Sequence, residues 1–388
     1  MATLPMTAPE MMAEARQQTR ISIVDEKIIV ALEKLVDSFN RDGQPHDEGA
    51  EMLHQRIMRA LCNRLRMARD IAAHPEILEQ ALRPPVFICG MARTGSTKTQ
   101  KLLAASEDFN FFTYWKALNP SLYTGDPNES PQARIDEADR YARWFDSRSP
   151  ETKKGHSFET FEPEEDSDVL GHSLMSAVWY GWAPLDSYLV WLAENDLRYQ
   201  FEVLRDVLKY QQWQGLADPA KPWVLKCPLY SGLEHLLIEV FPEATLIMTH
   251  RSNTKTVGSG LKLLECFYQP FTHRRPDPEA YVQGVLGATQ AHMQWRAQQR
   301  DDRFLDLPFS ALVAQPEATI RAIYAYAQLP LSNASLERML LWNDSNPQNK
   351  YGRHEYSLGD YGLSTEGITE TFRDYEDFIA RLDTNWAR

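Results

Sequence analysis

The stretch PPVFICGMARTGSTKTQKLLAAS, residues 84–106, decides the fold class of this 388-residue chain. Its first six residues form an apolar run opened by proline, which is typical of a buried parallel strand. The letters STKTQKLLAAS that follow Gly95 have the apolar spacing of a helix. A glycine-containing loop joins the two, and amides at a helix N-terminus bind anions. The sequence therefore predicts a phosphate-binding loop between a strand and a helix.

The loop differs from that of nucleotide triphosphatases, which has the form GxxxxGK[ST]. Here the pattern is GxxxxGST and runs from Gly90 to Thr97. Ser96 takes the place of the lysine, and the basic residue of the loop is Arg93. Such a cradle still suits a phosphate, but without the lysine or an acidic metal ligand it is poorly equipped to cleave a triphosphate.

Strand and helix patterns alternate along much of the chain. Three further apolar runs resemble strands: WVLKCP (223–228), ATLIMTHR (244–251) and RFLDLPFS (303–310). Helical spacing between them predicts an α/β fold with a P-loop-like parallel sheet flanked by helices. We expect an N-terminal helical extension, residues 1–82, and a main domain, residues 83–388. A mostly helical insertion, 110–220, interrupts the alternation on the side where we expect the acceptor.

Composition excludes several classes of partner. A net charge of −13 and a pI near 5.3 disfavour nucleic acid and acidic membranes, both of which select a basic surface. Four cysteines without CxxC spacing suit a reducing compartment, and no uncharged apolar run reaches about 18 residues. These features predict a cytoplasmic protein without stable membrane insertion. The apolar faces of the N-terminal helices would fit either packing on the core or a homodimer contact.

The second informative segment is KPWVLKCPLYSGLEHLLIEVFPEATLIMTHRSNTKTVGSG, residues 221–260. Together with the first loop, it resembles the sulfotransferase superfamily, most closely its bacterial branch. PEEDSDVLGHSL, 163–174, and the tail that starts with KYGRHEYS, 350–378, are similar to further family segments. The resemblance covers residue 84 to the C-terminus. It implies a sulfotransferase that uses the donor PAPS (3′-phosphoadenosine 5′-phosphosulfate) and requires no metal.

The resemblance also implies which residues hold the donor. The residues expected on its 5′-phosphate side are Arg93, Thr94, Gly95, Ser96, Thr97 and Lys98, and those on its 3′-phosphate side are Arg251, Ser259 and Arg353. Arg353 lies in a basic glycine loop, NKYGRHEY, and a solvated charge would explain it equally well. Lys98 stands where the family commonly has an apolar residue, so it too could be merely solvated.

Catalysis of sulfuryl transfer needs positive charge and a base. A sulfuryl group carries less negative charge than a phosphoryl group, so arginine, lysine and amides can stabilise its transfer without a divalent metal. The resemblance assigns catalytic roles to Arg93 and to Lys226, and His156 is the expected base. The other candidates for the base are the acidic residues Glu162, Glu164 and Glu165, and Tyr230, which replaces a frequent family histidine. His172 is expected to be a packed helix residue.

The acceptor side is predicted from five aromatic residues: Trp179, Tyr180, Trp182, Tyr188 and Trp191. They either pack a core or form one wall of a pocket for a small apolar acceptor with a hydroxyl, such as a sterol, lipid or phenol. A catalytically degenerate nucleotide-binding protein is the alternative function. A P-loop kinase is disfavoured, since the strand at 244–251 ends in His250 and Arg251 and not in an aspartate.

Overall fold

The protein is built around a parallel sheet of four strands. A computed structural model describes residues 2–22, 25–299, 303–347 and 356–386. The strands are β1 Val86–Cys89, β2 Val224–Lys226, β3 Thr245–His250 and β4 Leu305–Pro308, in the order β2-β1-β3-β4. All four were predicted at these places, and the predicted fold class is confirmed.

Pairing of β1 on both of its edges fixes the functional end of the sheet. Ile88 lies opposite Lys226 of β2, and Cys89 lies opposite Met248 of β3. Because the strands are parallel, the segments that follow them emerge at one edge of the sheet. The chain order reverses around β1, which is where open α/β sheets bind ligands. The loop after β1 starts at this edge of the sheet, and Arg251 directly follows the end of β3 there.

Residues 2–82 are mostly helical, as predicted. The elements are α1 Ala8–Thr19, α2 Glu26–Ser38, a π-helical turn Phe39–Gly43, α3 Asp47–Ala73 and a 3₁₀ turn Pro75–Ile77. Side chains cap the first turns of all three α-helices: Thr7 caps α1, Asp25 caps α2 and His46 caps α3. These caps satisfy amides that a helix leaves without partners, so each helix has a defined start.

The insertion between β1 and β2 is also mostly helical. After α4 Ser96–Ala104, it contains α5 Tyr114–Leu118, α6 Gln132–Arg148, a 3₁₀ helix Pro150–Lys154, α7 Ser167–Gly171, a 3₁₀ helix Ala177–Gly181, α8 Asp186–Ala193 and α9 Arg198–Trp213. The remaining helices are a 3₁₀ turn Pro228–Tyr230, α10 Glu234–Val240, α11 Asn253–Tyr268, α12 Pro278–Arg296, α13 Phe309–Ala314, α14 Pro316–Tyr326, α15 Asn333–Ser345, a 3₁₀ turn Leu358–Tyr361, α16 Thr365–Thr371 and α17 Arg373–Trp386.

The two faces of the sheet pack into different cores. Phe87 and Cys89 of β1 point into a large cluster that includes apolar residues of α1 to α3 and of the insertion. Val86 and Ile88 point the other way, into a smaller cluster formed with α4 and α13 to α15. Strands buried on both faces read as continuous apolar runs, which explains the pattern in the sequence. The N-terminal helices therefore share their core with the sheet.

Two further features concern the part of the chain that the structure describes. Within it, no helix is both long and apolar enough to cross a membrane. Over the same ranges, no three His, Cys, Asp or Glu side chains are grouped so that they could hold a metal ion.

Gly90 is the residue at which β1 turns sharply into the loop. Its φ is +121°, and a Cβ there would lie 2.2 Å from Thr249 Oγ1 and 2.6 Å from the Thr249 carbonyl oxygen. We expect Gly90→Ala to lower the free energy of unfolding by roughly 2–4 kcal/mol, through backbone strain and overlap with a buried strand. Gly215→Ala is the control, because Gly215 has φ +71° and no atom within 4 Å of the added Cβ. Urea unfolding should show a clearly smaller loss for it, and equal losses would contradict the packing argument.

Candidate active site

The loop after β1 leaves backbone amides available at the start of α4. Gly95, with φ +96°, is the N-cap residue, and no side chain caps this helix. The Thr94 hydroxyl is used inside the loop: it donates to the Met91 carbonyl at 2.7 Å and lies 2.7 Å from Thr249 Oγ1. The uncapped helix N-terminus and the hydroxyls of Ser96 and Thr97 are thus the groups of the loop that could bind an anion.

Arg93 joins the loop to two other parts of the site. Its φ of +73° is unusual for a residue with a side chain. Its Nε donates to Ser259 Oγ at 2.9 Å, and its Nη1 donates to the Gly155 carbonyl at 2.7 Å. Nη1 of Arg251 donates to the Arg93 carbonyl at 3.1 Å. The structure therefore brings Arg93, Arg251 and Ser259 together, although Ser259 contacts Arg93 directly and Arg251 holds the Arg93 backbone.

The two arginines carry positive charge in a sparsely hydrated place. Burial lowers the pKa of Arg93, and burial likewise lowers the pKa of Arg251, whose guanidinium lies 4.2 Å from the centre of the Phe309 ring. A buried cation is stabilised by an anion that replaces its lost water. Phe309 also limits Gly95, since a Cβ there would lie 2.8 Å from this ring.

Lys98 and Arg353 are the two remaining residues that were predicted to bind the sulfate donor. Lys98 is half-buried on α4; burial lowers its pKa and the nearby Asp344 of α15 opposes that shift. Arg353, with Lys350 and Gly352, lies outside the described residues. Tyr356, which follows that segment, lies near both Arg93 and Arg251 and donates its hydroxyl to the Lys255 carbonyl at 2.9 Å. No motif in the sequence points to Tyr356.

A chain of charged groups begins at Lys226, the last residue of β2. Lys226 is fully buried and forms an ion pair with Glu165. Glu165 Oε1 also lies 3.7 Å from His156 Nδ1, and Glu164 Oε1 lies 3.1 Å from His156 Nε2. The segment from 156 to 165 thus places one histidine between two carboxylates, beside the lysine that ends β2.

These charges determine how the groups titrate. Burial lowers the pKa of His156, but Glu164 and Glu165 outweigh it, so that the pKa lies above its usual value. Burial raises the pKa of Glu165, and Lys226 together with His156 reverses this, so its pKa lies below its usual value. Glu165 is therefore ionised at neutral pH and pairs with both Lys226 and His156.

Two of the other candidates for the base, Tyr230 and Glu162, have environments that suit this role less, and so does His172, which was expected to pack in the core. Tyr230 is fully buried, donates its hydroxyl to Asp166 Oδ2 at 2.6 Å, and burial raises its pKa well above the usual value. Glu162 is exposed and lies 3.8 Å from Lys101. His172 is buried, where it donates to the Ala117 carbonyl, and burial lowers its pKa to about 3. The predicted packing role of His172 agrees with its place in the core.

A cavity of about 450 Å³ opens beside His156 and Glu165. Its walls are mainly apolar and come from the 177–182 segment, from α11 and from α12. Tyr180, Trp182 and Phe267 are among its lining side chains. Tyr281 lines it as well and lies near Arg93. Met91 and Ala92 of the loop after β1 also line it, so the cavity extends from this loop into a mainly apolar interior.

The five aromatic residues of the insertion divide between the two predicted roles. Trp179 and Tyr188 are buried in the core. Tyr180 and Trp182 line the cavity. Trp191 is partly buried against Tyr188, at 5.6 Å between ring centres. The core interpretation thus holds for Trp179 and Tyr188, while Tyr180 and Trp182 lie where the wall of an acceptor pocket would need them.

One wall of the cavity depends on the N-terminal helices. Arg56 of α3 is 5 % exposed, forms an ion pair with Asp168, and places its guanidinium 3.6 Å from the centre of the Trp182 ring. Asp168 and Trp182 both line the cavity. No motif identifies this arginine in the sequence. The pattern that indicates a buried cation is its place on the apolar face of α3, three residues after Leu53 and one before Ile57.

The chain is similar to known sulfotransferases in sequence and in fold. Residues 84–333 match the model of the sulfotransferase family. The sulfotransferase STF9 from Mycobacterium avium is 25% identical in sequence, with a TM-score of 0.83 over 96% of each chain. The sulfotransferase STF1 from Mycobacterium tuberculosis H37Rv has the same fold at 23% identity, with a TM-score of 0.78 over 96% of this chain and 99% of that one. No curated protein matches the sequence.

The ion pair of Arg56 and Asp168 can be tested by removing its cation. We expect Arg56→Met to lower the free energy of unfolding by about 3–5 kcal/mol, because it leaves a buried carboxylate without its partner. Arg66→Met is the control on the same helix, since that guanidinium lies 4.4 Å from the Tyr123 ring centre and is partly exposed. Urea unfolding followed by tryptophan fluorescence measures both. The double variant Arg56→Met, Asp168→Asn should regain part of the lost free energy of unfolding. A double variant no more stable than Arg56→Met would contradict this explanation.

Proposed function

Because the chain belongs to the sulfotransferase family, we propose that it transfers a sulfuryl group from PAPS to the hydroxyl of a small apolar acceptor. One observation carries the proposal. Arg93, which contacts Ser259, also donates to the carbonyl of the residue before His156. His156 lies between Glu164 and Glu165, Glu165 pairs with Lys226, and His156 lines an apolar cavity. Such a site can bind an anionic donor on one side and a neutral acceptor on the other.

In this proposal the donor spans the cluster of arginines. The amides at the start of α4, with Ser96 and Thr97, would hold the 5′-phosphosulfate, and Arg251 with Ser259 would hold the 3′-phosphate. Arg93 lies between these two groups and contacts Ser259 directly. Its hydrogen bonds to Ser259 and to the Gly155 carbonyl would be exchanged for phosphate oxygens, which are stronger acceptors for a guanidinium.

The proposed chemistry is an in-line displacement at sulfur. The acceptor oxygen attacks sulfur while the bond from sulfur to the 5′-phosphate oxygen breaks, and adenosine 3′,5′-bisphosphate leaves. His156 takes the proton of the acceptor hydroxyl. Lys226 stabilises the negative charge that develops on the departing oxygen. Glu165, which contacts both cations, positions them relative to each other.

Donor binding is tested by isothermal titration with adenosine 3′,5′-bisphosphate. We expect binding that needs no metal and that Arg251→Ala weakens at least tenfold, because a charged hydrogen bond to phosphate is lost. Arg321→Ala is the control, since this arginine is exposed on α14 and pairs with Glu317. Tighter binding of magnesium ATP, or binding indifferent to Arg251, would return a P-loop kinase to consideration.

The base is tested by the pH dependence of kcat/KM with 4-butylphenol as acceptor. The rate should rise as His156 loses its proton, at a pH above the usual histidine range because its pKa is raised. Glu164→Gln removes one of the charges that raise this pKa, so the rise should move to lower pH by roughly one unit.

Glu162→Gln, in the same acidic run but exposed, is the matched control and should leave the profile unchanged. A Glu164→Gln profile that coincides with the wild-type profile would remove His156 from the role of base.

A further inference from the structure

Two glycines line the cavity at points where nothing in the described protein requires a glycine. Gly284 lies within α12, and Gly181 ends the 3₁₀ helix Ala177–Gly181. A Cβ added at either residue would meet no atom within 4 Å, and neither residue has a positive φ. Each therefore leaves open space beside the cavity lining, where Gly284 is exposed and Gly181 is half-buried.

Packing requires a glycine at a third position of the cavity lining, Gly260. Gly260 of α11 faces α12, and a Cβ there would lie 1.9 Å from the Tyr281 hydroxyl oxygen. Gly260 is thus needed for the close approach of the two helices. Gly284 has no such neighbour, although glycine inside a helix destabilises it by about 1 kcal/mol relative to alanine. Packing therefore does not explain the glycines at 284 and 181, and what the two residues share is their place in the cavity lining.

The position of Gly284 relates this space to the proposed chemistry. Tyr281 marks the end of the cavity near Arg93, and Gly284 follows it by about one helical turn on the same wall. Ala288 lies about one further turn along and also lines the cavity. An acceptor whose hydroxyl reaches His156 would extend its apolar body along this side of α12.

The charges of the wall restrict which acceptor fits. Glu164, Glu165, Asp168 and Asp186 line the cavity, while its lining within the described residues contains no lysine or arginine. Glu165 and Asp168 are paired with Lys226 and Arg56, so an anionic acceptor would approach these carboxylates without a lysine or arginine of the lining to pair with. The volume of about 450 Å³ falls in the range of pockets that hold drug-sized ligands, so the cavity has room for more than a single phenol ring.

We propose that Gly284 and Gly181 are specificity-determining residues that admit a neutral acceptor with a long or bulky apolar body of about this size. The inference rests on the proposed function for the position of the acceptor hydroxyl. It goes beyond that function by assigning the size limit to two named backbone positions of the cavity lining, one in α12 and one at the end of the 3₁₀ helix Ala177–Gly181.

The test uses phenol, 4-butylphenol and 4-octylphenol with wild type, Gly284→Leu and Gly181→Leu. For 4-octylphenol, we expect each leucine variant to lower kcat/KM at least tenfold, whereas phenol should change less than twofold. Gly287→Leu is the matched control, since Gly287 lies in the same helix, is exposed and is outside the cavity lining, and its Cβ would also meet no atom within 4 Å. A uniform loss for all three phenols, or an equal loss in the control, would overturn the proposal.

Titration of the phenols into the complex with adenosine 3′,5′-bisphosphate separates this inference from the proposed function. Wild type should bind 4-octylphenol at least tenfold more tightly than phenol and at least tenfold more tightly than 4-octylbenzoate. Gly284→Leu should lose the preference for 4-octylphenol over phenol. If this binding pattern holds while no phenol is sulfated, the size limit stands and the proposed transfer to phenols fails. Binding of 4-octylphenol that is unchanged in Gly284→Leu, or no tighter than that of 4-octylbenzoate in wild type, would overturn the inference.

Discussion

The parallel pairing of β1 with β2 on one edge and with β3 on the other is the constraint on which the site depends. It places the loop after β1, Lys226 at the end of β2 and Arg251 after β3 at one edge of the sheet. These residues lie far apart in the sequence, and no local interaction could bring them together. Burial of the strands on both faces keeps this arrangement fixed, because slippage by one residue would exchange the two cores.

The charged groups at this edge form two clusters that share one short segment. Gly155 accepts a hydrogen bond from Arg93, and the next residue, His156, lies between Glu164 and Glu165. The proposed donor side and the proposed acceptor side are thereby connected through two consecutive residues. A donor that draws Arg93 away from Gly155 would act on the backbone beside the proposed base. The fully buried Lys226 depends on Glu165 for its charge balance, so this carboxylate holds the lysine and the histidine together.

Local pattern was enough to predict the four strands, the loop and the helix after it, because apolar periodicity and glycine reflect local physics. The approach of Arg93, Arg251 and Ser259 also followed from the family resemblance, but the direct contact of Arg93 with Ser259 did not. Contacts between distant segments could not be predicted: Arg56 with Trp182, or Tyr230 with Asp166. These depend on how helices pack in three dimensions, and a single sequence does not encode that packing in any short pattern.

The most direct test of the central claim is a crystal structure with adenosine 3′,5′-bisphosphate bound. The account predicts the 5′-phosphate within hydrogen-bonding distance of the amides at the start of α4, and the 3′-phosphate at Arg251 and Ser259. Arg93 should leave the Gly155 carbonyl to contact phosphate. The two phosphates in the reverse orientation, or the nucleotide bound away from Gly95 and Arg251, would contradict it.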